Sequence, residues 1–126
     1  MRKETRSFGT FDQILARLRF GLPEFNVGIE PFTVQDVQAA VAANQVDDRA
    51  HQSPELQAAY DAERSKGADH VKAWMREYHI RRTAYFVTNG WAGPLTLDAA
   101  GWIRDGAHRL LAAAVRGDEF VDCSQP

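Results

Sequence analysis

Asp105-Gly106-Ala107-His108-Arg109 brings a carboxylate, a glycine, an imidazole and a guanidinium into one short run. Trp102-Ile103 precede it and an alanine-leucine stretch follows, so the run lies where an extended segment passes into a helix. The first backbone N–H groups of such a helix have no intrahelical partner and point out of its end. With the helix dipole, the imidazole of His108 and the guanidinium of Arg109, they make a compact seat for an anion, and phosphate suits it. Gly106 permits a tight turn and the close approach of a bulky anion. Asp105 can cap the helix or hold a divalent cation that accompanies phosphates. In the structural alternative, Asp105 is an ordinary cap, Gly106 a turn residue, and His108 and Arg109 surface groups. No Walker-type loop is present to decide between them.

The elements that must position this run read as follows. Asp69 to about Asn89 is one long helix, stopped by Asn89-Gly90. Spacing at 100° per residue places Val71, Trp74, Met75, Tyr78, Tyr85 and Phe86 in one apolar stripe, with Arg82 in its middle and a second apolar patch of Ile80, Ala84 and Val87 behind. A guanidinium in such a stripe must find an anion or reach water. Then come a strand with Leu95 and Leu97 on one face, a second strand "GWIRDG", the helix "AHRLLAAAVR" closed by Gly117, and a last strand "EFVDC". Upstream, residues 1–10 read as a loose arm and 11–20 as a short helix closed by Gly21 and Pro23. "FNVGIEPF" reads as extended, 34–44 as a helix opened by a Thr33/Asp36 capping box, and 54–65 as an exposed helix ending near Gly67. The order of elements from 69 to 123 implies a small α+β domain.

The totals bound the function classes. A chain of 126 residues can form one domain, with 1–68 of unassigned role and 69–123 as its core. Net charge is −2 with a sequence pI near 6.1, so nucleic-acid binding would need a local basic face. From Asp69 to Arg116 seven Lys/Arg stand against four acids, a balance of +3 around the proposed phosphate seat. The lone cysteine, Cys123, excludes an internal disulfide framework and fits a reducing compartment. Neither a membrane span nor a signal peptide is legible, and a soluble cytoplasmic protein is expected. His51, His70, His79 and His108 show no metal-ligand spacing; Asp98 and Asp105 would share a magnesium ion if the strands bring them together, and are otherwise surface carboxylates. Trp74, Trp91 and Trp102 read as packing rather than base-stacking platforms.

"WIRDGAHRLLAAAVRGDEFVDC" resembles the signature segment of the ParB/sulfiredoxin superfamily, in which an extended segment enters a Gly-x-His-Arg turn, a short alanine-rich helix, a glycine and a final strand. Upstream, Gly90, Pro94, Leu95 and Leu97 stand where that family has its glycine turn and first strand; residues 1–68 carry no such likeness. The resemblance implies a mixed sheet flanked by helices, with a nucleotide, ATP or CTP, or a DNA phosphate held at Gly106, Ala107, His108 and Arg109, close to Asp105 and with Mg²⁺. It also implies polar contacts from the preceding helix, for which Arg82 is the first candidate and Arg81 and His79 the next. Family members include kinases, NTPases, nucleases, sulfiredoxins and CTP-binding DNA clamps. Ala107 stands where sulfiredoxins have cysteine, so sulfur repair is not expected. The sequence closes at Pro126 without a helix-turn-helix reader, so a complete partition protein is not expected either. The leading expectation is an NTPase or DNase of a plasmid or phage, with Asp105, His108 and Arg109 as catalytic groups. The alternative is a non-catalytic nucleotide-sensing or DNA-gripping module of a mobile element.

Overall fold

The computed structural model describes residues 2–18 and 30–126. Among these are five helices and four strands, an α+β architecture with a mixed sheet. The amino-terminal run expected as an arm is strand β1, Arg2–Arg6, paired antiparallel with β4, Val121–Gln125, from Arg2 opposite Gln125 to Arg6 opposite Val121. It forms an edge in the order β1-β4-β2-β3. Lys3 and Thr5 face water, and a polar edge strand of this kind needs no alternation of apolar residues. The other two strands are β2, Leu95–Leu97, and β3, Ile103–Asp105. β2 runs parallel to β4 and antiparallel to β3.

The helices start where their capping chemistry allows. Helix α1, Phe11–Arg17, opens on a Thr10/Gln13 capping box, and α2, Val34–Ala42, on the Thr33/Asp36 box. In the latter the Thr33 N–H donates to Asp36 Oδ2 at 2.9 Å and the Asp36 N–H to Thr33 Oγ1 at 3.1 Å. Helix α3, Pro54–Arg64, starts with Ser53 as cap and proline in its first turn. Helix α4, Ala68–Asn89, ends at Gly90, and α5, Ala107–Arg116, at Gly117, whose φ of 82° lies in the left-handed region that glycine tolerates. The extended reading at "FNVGIEPF" and the helix stop at Gly21 and Pro23 fall largely or wholly in 19–29, outside the described residues.

Leu95, Leu97, Leu110 and Leu111 are buried together with Ile80, Ala84, Phe11 and Phe32 in one core that joins sheet, α1, α2, α4 and α5. Each such aliphatic side chain removed from water contributes about 1.5–3 kcal/mol. The burial of α4 differs from the stripe read in sequence. Val71 and Tyr78 are buried, but Trp74, Met75, Tyr85 and Phe86 are only half-buried, while His79, Ile80, Thr83 and Ala84 form its most enclosed face. Apolar residues ring this helix, so periodicity alone does not choose the core side; packing against α2 and α5 does.

Candidate functional site

The β3–α5 junction takes the expected form, and it divides the expected site into two places. Gly106 is the N-cap of α5 at φ 110° and ψ 24°, and no side chain caps the helix. Asp105 does not act as the cap. Its side chain is 79% exposed, and its Oδ2 accepts from Arg109 Nη2 at 3.3 Å. The Arg109 guanidinium lies across Gly106: a Cβ built on that residue would meet Nη2 at 3.0 Å, Cζ at 3.2 Å and the Leu95 Cδ2 at 2.8 Å. The open amides of the first turn, the glycine and the arginine therefore share one face, with Ala107 half-buried beneath them.

His108 turns the other way. It is 7% exposed, and its Nε2 meets Nδ1 of His79 at 2.8 Å, with the two rings stacked at 5.0 Å and 21°. One nitrogen carries the proton and the other offers a lone pair, so this contact needs at least the accepting imidazole to be neutral. Burial, reinforced by His51, pushes His79 down to about 3; burial, then His79, His51 and Arg82, push His108 well below its ordinary value. His51, from the segment before α3, stands 6.3 Å from the His79 ring and 6.4 Å from that of His108, and burial lowers it as well.

The segment that carries His51 lies along α4. The Asp47 N–H donates to the Arg81 carbonyl at 3.1 Å, Arg82 Nη1 to the Asp47 carbonyl at 3.3 Å, and the Tyr78 hydroxyl to the Arg49 carbonyl at 2.8 Å. Burial acts to raise Asp47, yet two side-chain bonds from Arg49, at 3.0 and 2.6 Å, hold its carboxyl below the usual range. Burial also pushes the Tyr78 phenol up to about 12. Arg82 answers the question raised by its place in an apolar stripe: it bonds the Asp47 carbonyl and lies 5.0 and 4.5 Å from the ring centres of Tyr85 and Phe86.

The structure thus brings His79, His108 and Arg82 into one buried neighbourhood and leaves Asp105, Gly106 and Arg109 at the helix mouth. No protein-family model, curated protein or solved structure matches this chain. The remaining expected residues lie elsewhere. Arg81 is exposed, with Nε 3.9 Å from the Glu77 carboxylate. Asp98 is exposed and accepts the Trp102 N–H at 3.0 Å, closing the β2–β3 turn. Among the described residues no group of three or more His, Cys, Asp or Glu is arranged to hold a metal ion. Nor is any helix among them long and apolar enough to cross a membrane. Cys123 is fully buried, and burial raises its thiol, the reverse of what a reactive cysteine needs.

The sequence offered no signal for His51 and Tyr78 as neighbours of His108, or for Asp47 and Arg49 against α4. His51, Asp47 and Arg49 sit in a polar stretch that reads as solvated, and its approach to α4 is made through its own backbone groups, which leave no residue pattern.

Proposed function

We propose that this chain is a phosphate-binding module of ParB/sulfiredoxin-like type that takes the polyphosphate of a nucleotide at the open end of α5. The observation that carries the reading is the amino end of that helix, uncapped by any side chain at Gly106, with the Arg109 guanidinium folded across it. A phosphate there would accept first-turn N–H groups and an arginine fork together. The ion pair it must displace is weak. Asp105 is largely in water, and exposed pairs are worth about 0–1 kcal/mol, against about 1.5–3 kcal/mol for each new hydrogen bond to a charged group.

Binding is favoured over catalysis by the position of His108. An imidazole that is 7% exposed and bonded to His79 does not reach a phosphate at the mouth. Asp105, exposed and paired to Arg109, is not aimed at the same point as that imidazole. The second reading, an Mg²⁺-assisted NTPase or DNase, draws support from the gathering of His79, His108 and Arg82 behind the mouth.

Calorimetric titration of ATP and of CTP, each with Mg²⁺, followed by a search for hydrolysed nucleotide and cleaved DNA, tests both readings. Saturable heat without product is the expected result. Product that disappears in His108→Gln would favour the enzyme, and absence of binding to either nucleotide would remove the proposal.

A further inference from the structure

Among the described residues Phe120 is the one large apolar side chain left exposed, at 60%. It stands in the loop between α5 and β4 and adds nothing to the core, which takes Val121 and Cys123 from the strand that follows. A lone apolar residue on a surface needs no explanation. Phe120, however, lines a groove of about 680 Å³ together with Trp91, Pro94 and residues of β1 and β4. Trp91 is half-buried, its ring held edge to face against Phe86 at 6.3 Å. Two aromatic rings thus meet solvent in one concavity.

Charge selects the occupant. Asp118, Glu119 and Asp122 flank Phe120 and all three are exposed. The carbonyl end of α5, at Arg116 and Gly117, adds its partial negative charge to the same loop. Among the described residues neither Glu119 nor Asp122 has an ion pair or a side-chain hydrogen bond. The cations that line the groove are Lys3, exposed on β1, and Arg116. Arg116 is already engaged, its Nε 3.6 Å from the Asp118 carboxylate and its guanidinium 5.3 Å from the ring centre of Trp91. That contact also marks the Trp91 face as one that accepts a guanidinium. Glu4 is engaged as well, by Arg6. We propose that the groove docks a basic peptide segment of another protein, with an apolar side chain against Phe120 and Trp91 and its arginines or lysines against Glu119 and Asp122. A second copy of this chain would bring the same acidic loop to a self-matched contact, and like charges so placed repel. Nucleic acid and an anionic membrane meet the same repulsion.

Amide NMR of the full chain, titrated with a short synthetic peptide of alternating arginine and leucine, tests this. The backbone signals of 91–93 and 117–122 and the Trp91 indole N–H are expected to move together and saturate. Affinity should fall severalfold between about 0.05 M and about 0.3 M salt. A peptide of alternating glutamate and leucine is expected to leave those signals in place. Equal binding of the two peptides, or shifts confined to residues outside the groove, overturns the proposal. Phe120→Ala removes a side chain that the core does not use, so the urea midpoint is expected to hold while affinity for the basic peptide drops about tenfold. Glu119→Gln/Asp122→Asn is expected to weaken the same peptide about fivefold or more at low salt. Unchanged affinity in either variant overturns the docking site. Sedimentation of the protein alone supplies the last outcome: a dimer that forms with concentration and is lost in Phe120→Ala makes a second copy the occupant and overturns the peptide.

Discussion

His108 and Arg109 are neighbours in sequence and opposites in surroundings. His108 is buried against His79, its proton affinity suppressed, and it ties one helix to another. Arg109, one position on and about 100° further round the helix, lies over the open first turn and holds only a carboxylate that is largely in water. A single Gly-x-His-Arg turn therefore serves two ends. Its imidazole belongs to the architecture behind the helix, and its guanidinium, on the function we propose, to a phosphate at the front. A short motif read as one site can be two, because a helical turn sends consecutive side chains to different environments.

Perturbations that act on one side and spare the other test this division. The largest effect belongs to the buried side. Imidazoles held neutral in the fold and ordinary in the unfolded chain cost roughly 3 kcal/mol of stability between about pH 7.5 and about pH 5.5, with loss on the acid side. Urea unfolding at the two pH values measures it, and equal stabilities would contradict the burial of both rings. Next is Gly106→Ala, which forces a side chain into positive φ and against Leu95 and Arg109. It is expected to cost about 1–3 kcal/mol in thermal or urea unfolding and to weaken anion binding as well, since it obstructs the mouth.

Thr33→Ala, remote from both places, removes one half of the α2 capping box and should cost about 1 kcal/mol with nucleotide affinity unchanged. Smallest in stability is Arg109→Ala, expected within about 1 kcal/mol of the parent because its ion pair is exposed on the Asp105 side. The same change should nonetheless lower affinity for Mg²⁺-nucleotide by about tenfold or more, as measured by calorimetry. A variant that loses stability as Gly106→Ala does, while keeping its affinity, would reverse the roles assigned to front and back.

Much of the fold was legible because its signals are local. The Thr33/Asp36 capping box, the glycine stops at Gly90 and Gly117, and the paired Leu95 and Leu97 each appear where residue type and spacing place them. The α+β arrangement followed from the order of those elements. Strand β1 was not legible: its five residues are charged or hydroxylated, and its pairing partner lies at the other end of the chain. The core side of α4 was misjudged because fully buried His79 and Thr83 sit on it. Thr83 is accommodated by donating to the His79 carbonyl at 2.7 Å, and His79 by its contact with His108, partners that spacing does not reveal.

The candidate site was legible in half. Gly106 as a tight-turn residue and Arg109 beside it were readable from the run itself. The inward turn of His108 was not, since it depends on a histidine 29 residues earlier. Asp98 and Asp105 read as possible partners on adjoining strands, but the register gives each another engagement: Asp98 with the Trp102 amide and Asp105 with Arg109.

The most direct measurement is an amide and imidazole NMR titration with ATP and Mg²⁺ at neutral pH. The backbone signals of Gly106, Ala107, His108 and Arg109 should move together and saturate, while the ring signals of His79 and His108 stay in place. Ring signals that shift while the first-turn amides do not, or a titration that leaves residues 106–109 unmoved, would contradict the division of this turn into a binding front and a structural back.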